Sequence, residues 1–546
     1  MDFFSEISAL LSEGRINSKK DLDSAKRVLA KKHGLKRYPK NSEILNRLNK
    51  KQRQRFLGLL QKKPTRTLSG VTVVAAMTSP SKCPHGRCLF CPGGPDEHVP
   101  QSYTGKEPAA RRAIEYGFDP YLQVTFRLKQ LDEIGHPTDK VELIIMGGTL
   151  TARSIDYQDW FVKQCLRALN DFSENKKTIE QQGSKYFIEH NNRVEFMFRE
   201  AVQKINEKAD TRCVGITFEP RPDWCLKPHI NHMLDLGVTR VEVGVQNPDD
   251  SIYEEVDRGH SVLDVVNATK QVKDSGLKIG YHMMPGIRGV DFELDIMGFK
   301  KIYSDDRFKP DMVKIYPCII VGGTEYHSRW KAGEFTPLTT DQAVEIIVEA
   351  KKLMPKWMRT MRIMRDIPSN LVEAGIKSSN LGELVYERMR RERVKCGCIR
   401  CREVGRHLKE GIHPDVDNIK LLCEEYSASG GSEFFISFED VEKDILIGFT
   451  RLRIPHKPFR REISEDSALI REVHVYGPAV EIGEKPVYEW QHRGYGGELV
   501  RAAEEKALER GYNKILVTSG IGVRDYYRRL GYERRGVYMG KELKRA

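Results

Sequence analysis

Residues 83–91 read Cys83-Pro84-His85-Gly86-Arg87-Cys88-Leu89-Phe90-Cys91, and the apolar run VTVVAAM (71–77) stands just before them. Three thiols in nine residues, on a loop that leaves a strand, can wrap one face of an iron–sulfur cube. A 4Fe–4S cluster takes four thiolates when fully held by protein, so three leave one iron open to a small molecule. Phe90 beside the last thiol and the Pro92-Gly93-Gly94 that follows would shield such a cluster and let backbone approach it. The competing reading is a structural zinc site with His85 as a substitute ligand. Position favours the cluster, because the loop issues from the C-terminal end of a strand, where parallel α/β proteins carry their ligands.

Outward from this loop, buried-looking runs recur at 141–146 (VELIIM), 213–219 (CVGITFE), 240–246 (RVEVGVQ), 277–283 (LKIGYHM) and 311–317 (DMVKIYP). Stretches of helical character at 157–169, 193–208, 262–275 and 340–353 alternate with them. Strands alternating with helices predict a parallel sheet with right-handed crossovers. Six units predict a partial (βα)6 TIM-like barrel rather than a closed eightfold one, over about 71–355. The strands end on Gly147-Gly148-Thr149, Glu219, Gln246, His282, and Lys314 with Tyr316, so polar groups cluster on the edge that carries the cysteine loop.

Residues 356–430 form a linker with little strand character. Within it Cys396, Cys398 and Cys401 suit a structural zinc site, which wants a closed tetrahedron; Cys318, His407, His413 and Cys423 are candidates for the fourth ligand. Arg388, Arg390, Arg391, Arg393, Lys395, Arg400, Arg402 and Arg406 around it suggest RNA contact. From 431 to 546 a separate α+β domain is expected: a hairpin at 433–438 and 445–453, a strand at 469–476, a helix at 496–510, a strand at 514–518, a short helix at 523–530 and a last strand at 535–540. Gln491-His492-Arg493-Gly494-Tyr495-Gly496-Gly497 opens its long helix. Glycines there let backbone amides at a helix start point at a pyrophosphate.

The chain has 546 residues, 39% of them hydrophobic, with 11 Cys and a formal net charge of +13. That length exceeds one core and predicts several domains. No apolar run reaches the roughly 18 residues of a membrane helix. The opening MDFFSEISALLSEGRINSKK has its charges after its apolar residues, the reverse of a secretory leader. Six of the cysteines fall in two tight clusters, and with no export signal that pattern suits metal ligands over disulfides in a reducing cytoplasm. Residues 1–70 hold 18 Lys and Arg against 6 Asp and Glu. With Leu29, Ile44, Leu45, Leu48, Phe56, Leu59 and Leu60 near helical spacing, this reads as a basic helical arm for a polyanion, nucleic acid before membrane.

A three-thiol loop after the first strand, a Gly-Gly turn after the second and polar ends on later strands resemble the radical S-adenosylmethionine (SAM) enzymes, with one more residue between the first two cysteines than their commonest pattern. The strand, glycine turn, helix, strand and the segment RDYYRRLGY (524–532) are similar to the GNAT acetyltransferase fold. Together with CPGGPD (91–96), QSYTGKEP (101–108), DPYLQ (119–123), RGH (258–260), YHMMPG (281–286), RDIPS (365–369), CREVG (401–405) and REVHVYG (471–477), the chain resembles the elongator complex protein 3 family from about residue 70 to its end. Lys106, where the family often has an aromatic, and Asn247, where it usually has Ser, are local departures.

That resemblance implies a tRNA-modifying enzyme that installs a carboxymethyl group on carbon 5 of the wobble uridine in an anticodon stem-loop. SAM bound to a 4Fe–4S cluster would supply a radical, and acetyl-CoA the carbon. It implies Cys83, Cys88 and Cys91 as cluster ligands and Gln246, Lys314 and Tyr316 on the SAM or substrate side. For acetyl-CoA it implies Lys140 from the barrel, Glu472, Val473, His474 and Val475 on the binding strand, Gln491, Tyr495, Gly496 and Gly497 in the glycine turn, and Tyr527, with Tyr527 and Lys140 as catalytic candidates. A homodimer or further subunits are compatible with it. The alternative function is a protein lysine acetyltransferase built on a structural iron–sulfur barrel. A basic peptide wants an acidic cleft, whereas residues 431–546 carry 21 Lys and Arg against 19 Asp and Glu; with the basic arm, this favours RNA.

Overall fold

The structure, a computed structural model, describes residues 2–62, 70–190, 198–477 and 494–544. Four helices, α1 (Phe3–Ser12), α2 (Lys19–Lys32), α3 (Asn41–Leu45) and α4 (Lys50–Leu60), build the arm. Ser18 and Asn49 cap α2 and α4 in reciprocal capping boxes. Phe3, Ile7, Leu11, Leu22, Leu29, Ile44, Leu45, Phe56 and Leu60 form a small core of their own, leaving the lysines and arginines outside. Arg53 donates to the carbonyl of Asp132 at 2.7 Å and Gln61 to that of Gly135 at 3.0 Å, fastening the arm to the barrel.

Seven strands follow in one parallel sheet, mostly in chain order: β1 (Thr72–Met77), β2 (Lys140–Met146), β3 (Arg212–Phe218), β4 (Arg240–Gln246), β5 (Lys278–Met283) and β6 (Met312–Ile315), then, past the short β7 (Ile320–Val321), β8 (Arg359–Ile363). β7 pairs instead with β9 (Val372–Ala374). β1 and β8 are the two free edges, so the sheet is a half-barrel. The seventh strand lies beyond the six read from sequence. Its text, RTMRI, sets arginines among apolar residues, and both arginines have carboxylate partners: Arg359 pairs with Glu403 of the linker and Arg362 with nearby Asp366.

The helices Pro120–Glu133, Ile155–Asn170, Val262–Asp274 and Thr340–Lys352 carry much of the apolar core that covers the sheet's outer face. Alternation along each strand sends the other residues inward, and inside the half-barrel these are charged. Arg240 pairs with Glu142 and Glu242, and Glu242 pairs with Lys314 and His282. Gly280 leaves room for this, since a Cβ there would lie 3.2 Å from Glu242.

The C-terminal sheet runs β10 (Ile419–Ala428), β11 (Gly431–Asp440), β12 (Ile445–Ile454), β13 (Ser467–Val475), β14 (Lys514–Val517), with β15 (Glu533–Arg535) and β16 (Tyr538–Glu542) in the order β10-β11-β12-β13-β14-β16-β15. β10 escaped the sequence reading because it is an exposed edge, IKLLCEEYSA, whose polar content hides the strand. β13 and β14 are parallel and pair only from Ser467↔Lys514 to Ile470↔Val517. Past Ile470 they part: Arg471 sits at a bulge, and Glu472–Val475 pair with β12 alone.

The C-terminal sheet is locked beneath the N-terminal ends of the barrel strands. Arg471 donates to Asp311 and Glu433 at 2.7 Å, Arg453 to Asp274, Arg524 to Glu207 at 3.0 Å, and the Tyr538 hydroxyl to the Ser275 carbonyl at 2.8 Å. These groups are buried. Removing one partner strands the other charge, a loss of about 3–5 kcal/mol.

Candidate active site

At the C-terminal edge of the barrel, Thr78 after β1 donates to the Gly147 carbonyl at 2.8 Å and ties the first strand end to the Gly147-Gly148 turn. The cysteine loop then folds back over the strand ends. Each thiol has a side chain from another segment beside it. Cys83 Sγ is 3.4 Å from Thr149 Oγ1, Gln101 Nε2 donates to Cys91 Sγ at 3.3 Å, and Arg258 Nη1 donates to Cys88 Sγ at 3.5 Å. His85 Nε2 lies 3.1 Å from Cys88 Sγ. Burial, aided by Arg221 and Arg258, pushes the His85 imidazole down to about 3, so it is neutral. Burial raises the Cys83 and Cys91 thiols.

These three sulfurs are not among the ligand groups that close to within 4.8 Å of one another. A single tetrahedral ion would need that closeness; the corners of a cube are wider apart. The geometry therefore fits an iron–sulfur cluster better than the zinc alternative with His85. Beside the thiols opens a cavity of about 200 Å³, lined by Gly148, Thr149, Glu219, Gln246, His282 and Tyr316 among others.

Behind its lining residues Glu219 and Glu242, Lys314 Nζ sits 2.8 Å from Glu219 and also pairs with Glu242. Glu242 accepts from or bonds His282 Nε2 at 3.0 Å, and the Tyr316 ring stands edge-on to His282 at 5.4 Å. Burial opposes charge on both partners, yet the two carboxylates hold Lys314 well above its ordinary value, and Lys314 and Arg240 hold Glu242 well below its own. Glu219, Glu242 and His282 also lie close enough to ligate an ion, but the Lys314 ammonium already serves as their cation. Gln246 ends β4 with φ +67°, a left-handed turn that redirects the chain at the rim.

The second group of predicted residues lies in the C-terminal sheet. Glu472 to Val475 form the part of β13 that has left β14. The Glu472 side chain is engaged, bonding Arg451 at 2.9 Å and lying 3.7 Å from Lys278 of β5. Val473 and Val475 pack on the core beneath the helix Tyr495–Glu509, and the His474 ring lies tilted against Tyr476 at 4.2 Å. Gly494 precedes that helix at φ +96°, a conformation glycine adopts without strain. Tyr495 meets Phe438 edge-on at 4.9 Å, and a Cβ on Gly496 would come within 2.8 Å of the Tyr526 hydroxyl. Gln491 falls outside the described residues. Tyr527 is 5% exposed and packed against Tyr526 and Tyr532. Its neighbour Tyr526 carries a buried hydroxyl without a hydrogen-bond partner among the described residues. Lys140 opens β2 at the barrel floor, where burial lowers its amine.

Cys396, Cys398 and Cys401 converge, their sulfurs all within 4.8 Å of one another. None of Cys318, His407, His413 and Cys423 completes the group among the described residues. Cys318 instead packs with Cys88, Leu89 and Phe90, and Cys423 is exposed on β10. Lys351 Nζ lies 3.8 Å from Cys398 Sγ. The reading of the surrounding arginines as RNA contacts needs one correction. Arg402 is 2% exposed and bound to Glu439 and Asp444, so it holds the linker to β11 and the turn after it. Arg390, Arg391, Arg393 and Lys395 remain exposed.

Sequence reasoning missed Gln101, Arg258, Glu242 and Arg240 as site residues. A signal existed for the last two: charges inside RVEVGVQ (240–246) are out of place in a strand covered on both faces.

The chain matches family models along nearly its whole length: the ELP3 N-terminal domain at residues 1–68, the radical SAM superfamily at 77–297, the radical SAM C-terminal domain at 310–391 and the GNAT acetyltransferase family at 406–532. It is 51% identical over 544 residues to a protein of Methanocaldococcus jannaschii named tRNA uridine(34) acetyltransferase, covering 97% of this chain and 96% of that one. It is 39% identical over 535 residues to human Elongator complex protein 3, covering 96% and 93%. Among solved structures, Elp3 of Methanocaldococcus infernus with an N-terminal deletion (1–46) is similar at 49% identity and TM-score 0.74, covering 87% of this chain and all of that one.

Proposed function

Because the chain belongs to the elongator complex protein 3 family, we propose that it modifies the wobble uridine of tRNA, joining a carbon unit from acetyl-CoA to carbon 5 of the base with a SAM-derived radical and leaving 5-carboxymethyluridine. The observation that carries this reading is the pairing of two sites in one rigid chain. A three-thiol loop crowns the barrel, and a parted β13–β14 pair with a glycine turn lies under its other end.

Cys83, Cys88 and Cys91 would hold a 4Fe–4S cluster whose remaining iron takes SAM; when bound, that pair supplies a radical able to take hydrogen from an unactivated methyl group. Gln246 and Tyr316 line the space where substrate and SAM would meet, and the ammonium of Lys314 stands behind Glu219 and Glu242 of that lining. The parted strand Glu472–Val475 would offer backbone groups to the pantetheine arm, and the amides of Tyr495 and Gly496 would face the pyrophosphate at a helix start, while Gly497 donates to the Gly494 carbonyl at 2.9 Å and shapes the turn. Tyr527 is the proton donor assigned to the departing thiolate, and Lys140 approaches acetyl-CoA from the barrel floor. Zinc at Cys396, Cys398 and Cys401 would brace the linker. A wobble base is single-stranded and leaves its stack at low cost, while the basic arm holds phosphates.

The test is nucleoside analysis of tRNA after anaerobic incubation of the full chain with a low-potential reductant, SAM and acetyl-CoA. Carboxymethylated uridine is expected only when all three are present. Product formed without SAM, or acetylation of protein lysines with unmodified tRNA, contradicts the reading.

A further inference from the structure

Arg258 is a cation without a carboxylate. It is 8% exposed, and no salt bridge to it is found among the described residues. Nη2 donates to the Gly244 carbonyl at 2.6 Å and Nη1 to Cys88 Sγ at 3.5 Å, while Nε is buried with no partner among the described residues. Neighbouring Arg221 differs: Asp223 neutralises it at 2.9 Å, and its Nη1 donates to the Arg258 carbonyl at 2.7 Å, fixing the turn. The backbone is shaped around this placement. A Cβ on Gly244 would lie 2.5 Å from Arg258 Nη2, and one on Gly259, at φ +67°, would lie 2.7 Å from His85 Cβ.

A buried guanidinium with no counter-ion is costly. The side chains that bond the other two thiols, Thr149 at Cys83 and Gln101 and Ser102 at Cys91, are uncharged, and Arg221 and Arg365 act on those thiols through space without a bond to sulfur.

We propose that Arg258 is the built-in counter-ion of the iron–sulfur cluster and the positioning residue that sets its reduction potential. The proposal rests on the cluster assignment made above. Thiolates and cluster sulfide carry negative charge that grows by one on reduction. A fixed positive charge and an N–H···S bond at Cys88 stabilise the reduced form more than the oxidised form, so they raise the potential. Gln101 and Thr149 lend hydrogen bonds but no charge.

The test is a spectroscopically monitored redox titration of the anaerobically reconstituted full chain, with iron content measured alongside. Arg258→Gln, which keeps an N–H donor but loses the charge, is expected to keep its iron and shift the one-electron equilibrium at least tenfold toward the oxidised form, about 59 mV. Arg258→Lys should keep most of the wild-type potential, and Gln101→Leu should shift it less than Arg258→Gln. An unchanged potential in Arg258→Gln with full iron overturns the proposal. If Arg258→Gln fails to hold iron, Arg258→Lys decides. Iron retained by Lys supports a counter-ion, and iron lost in both variants, with Cys88→Ala as the cluster-free reference, contradicts it. Full iron at wild-type potential in Arg258→Gln would leave the cluster assignment standing, whereas absence of iron from the wild-type chain would sink that assignment itself.

Discussion

Cys88 in the barrel loop has His85 at 3.1 Å and Arg258 at 3.5 Å. Two thiolates cannot hold a cube that three hold, so Cys88→Ala should lose iron and SAM cleavage while keeping its folded structure and any zinc at Cys396, Cys398 and Cys401; full iron and full activity in that variant would contradict the cluster. Glu472 makes a second prediction. Burial raises its carboxyl, but Lys278 and Arg451 overcome this and bring it down to about 2, against about 4.3 when unfolded. A depressed folded value stabilises the native state above the unfolded pKa, and that stability disappears as pH falls from about 4 toward 2. The shift corresponds to about 3 kcal/mol. Thermal unfolding of Glu472→Gln should therefore be less stable than wild type at pH 7, and the gap should close below pH 3. An equal gap at both values would show that Glu472 acts through packing alone.

Among the elements, those with unmixed texture were legible in the sequence. β1 to β6, the hairpin β11–β12, the helix Tyr495–Glu509 and the cysteine loop all announce themselves by apolar runs or by thiol spacing. β8 and β10 did not, because each is an edge strand whose polar residues answer to partners from elsewhere in the chain: Arg359 to Glu403, and Glu425 to Arg510. The same holds for the site. Its thiols and glycines were readable from spacing, but Arg258 was not, since its role depends on a contact 170 residues away at Cys88. The glycine turn yields the prediction at this scale. Space beside Gly496 is closed by the Tyr526 hydroxyl at 2.8 Å, so Gly496→Val should displace the turn or the phenol and raise the KM for acetyl-CoA, measured by initial rates. Iron content and SAM cleavage should stay at wild-type levels, because both reside at the opposite end of the barrel. A loss of iron in that variant would show that the two sites are not separable in this way.

Across the whole molecule, charge is segregated: residues 1–70 carry 18 of the basic side chains against 6 acidic ones, and the rest is close to neutral. Deleting the arm should weaken tRNA binding uniformly across sequences, because phosphate contacts position without reading bases. If about 6 of those cations meet phosphates, the slope of log affinity against log salt should fall by roughly 4 to 5. An unchanged slope would move the RNA to the barrel rim and to the exposed Arg390, Arg391 and Arg393. The buried ion pairs from Asp274 and Asp311 to Arg453 and Arg471 hold the two reaction centres in one body, and the central claim is that both act on one acetyl group. Acetyl-CoA deuterated in its methyl group tests this most directly, with the full chain, tRNA, SAM and reductant under anaerobic conditions. The account predicts one deuterium transferred to 5′-deoxyadenosine and the remaining two carried on the new carbon of the tRNA nucleoside. Unlabelled 5′-deoxyadenosine beside a fully deuterated acetyl group on RNA or protein would contradict it.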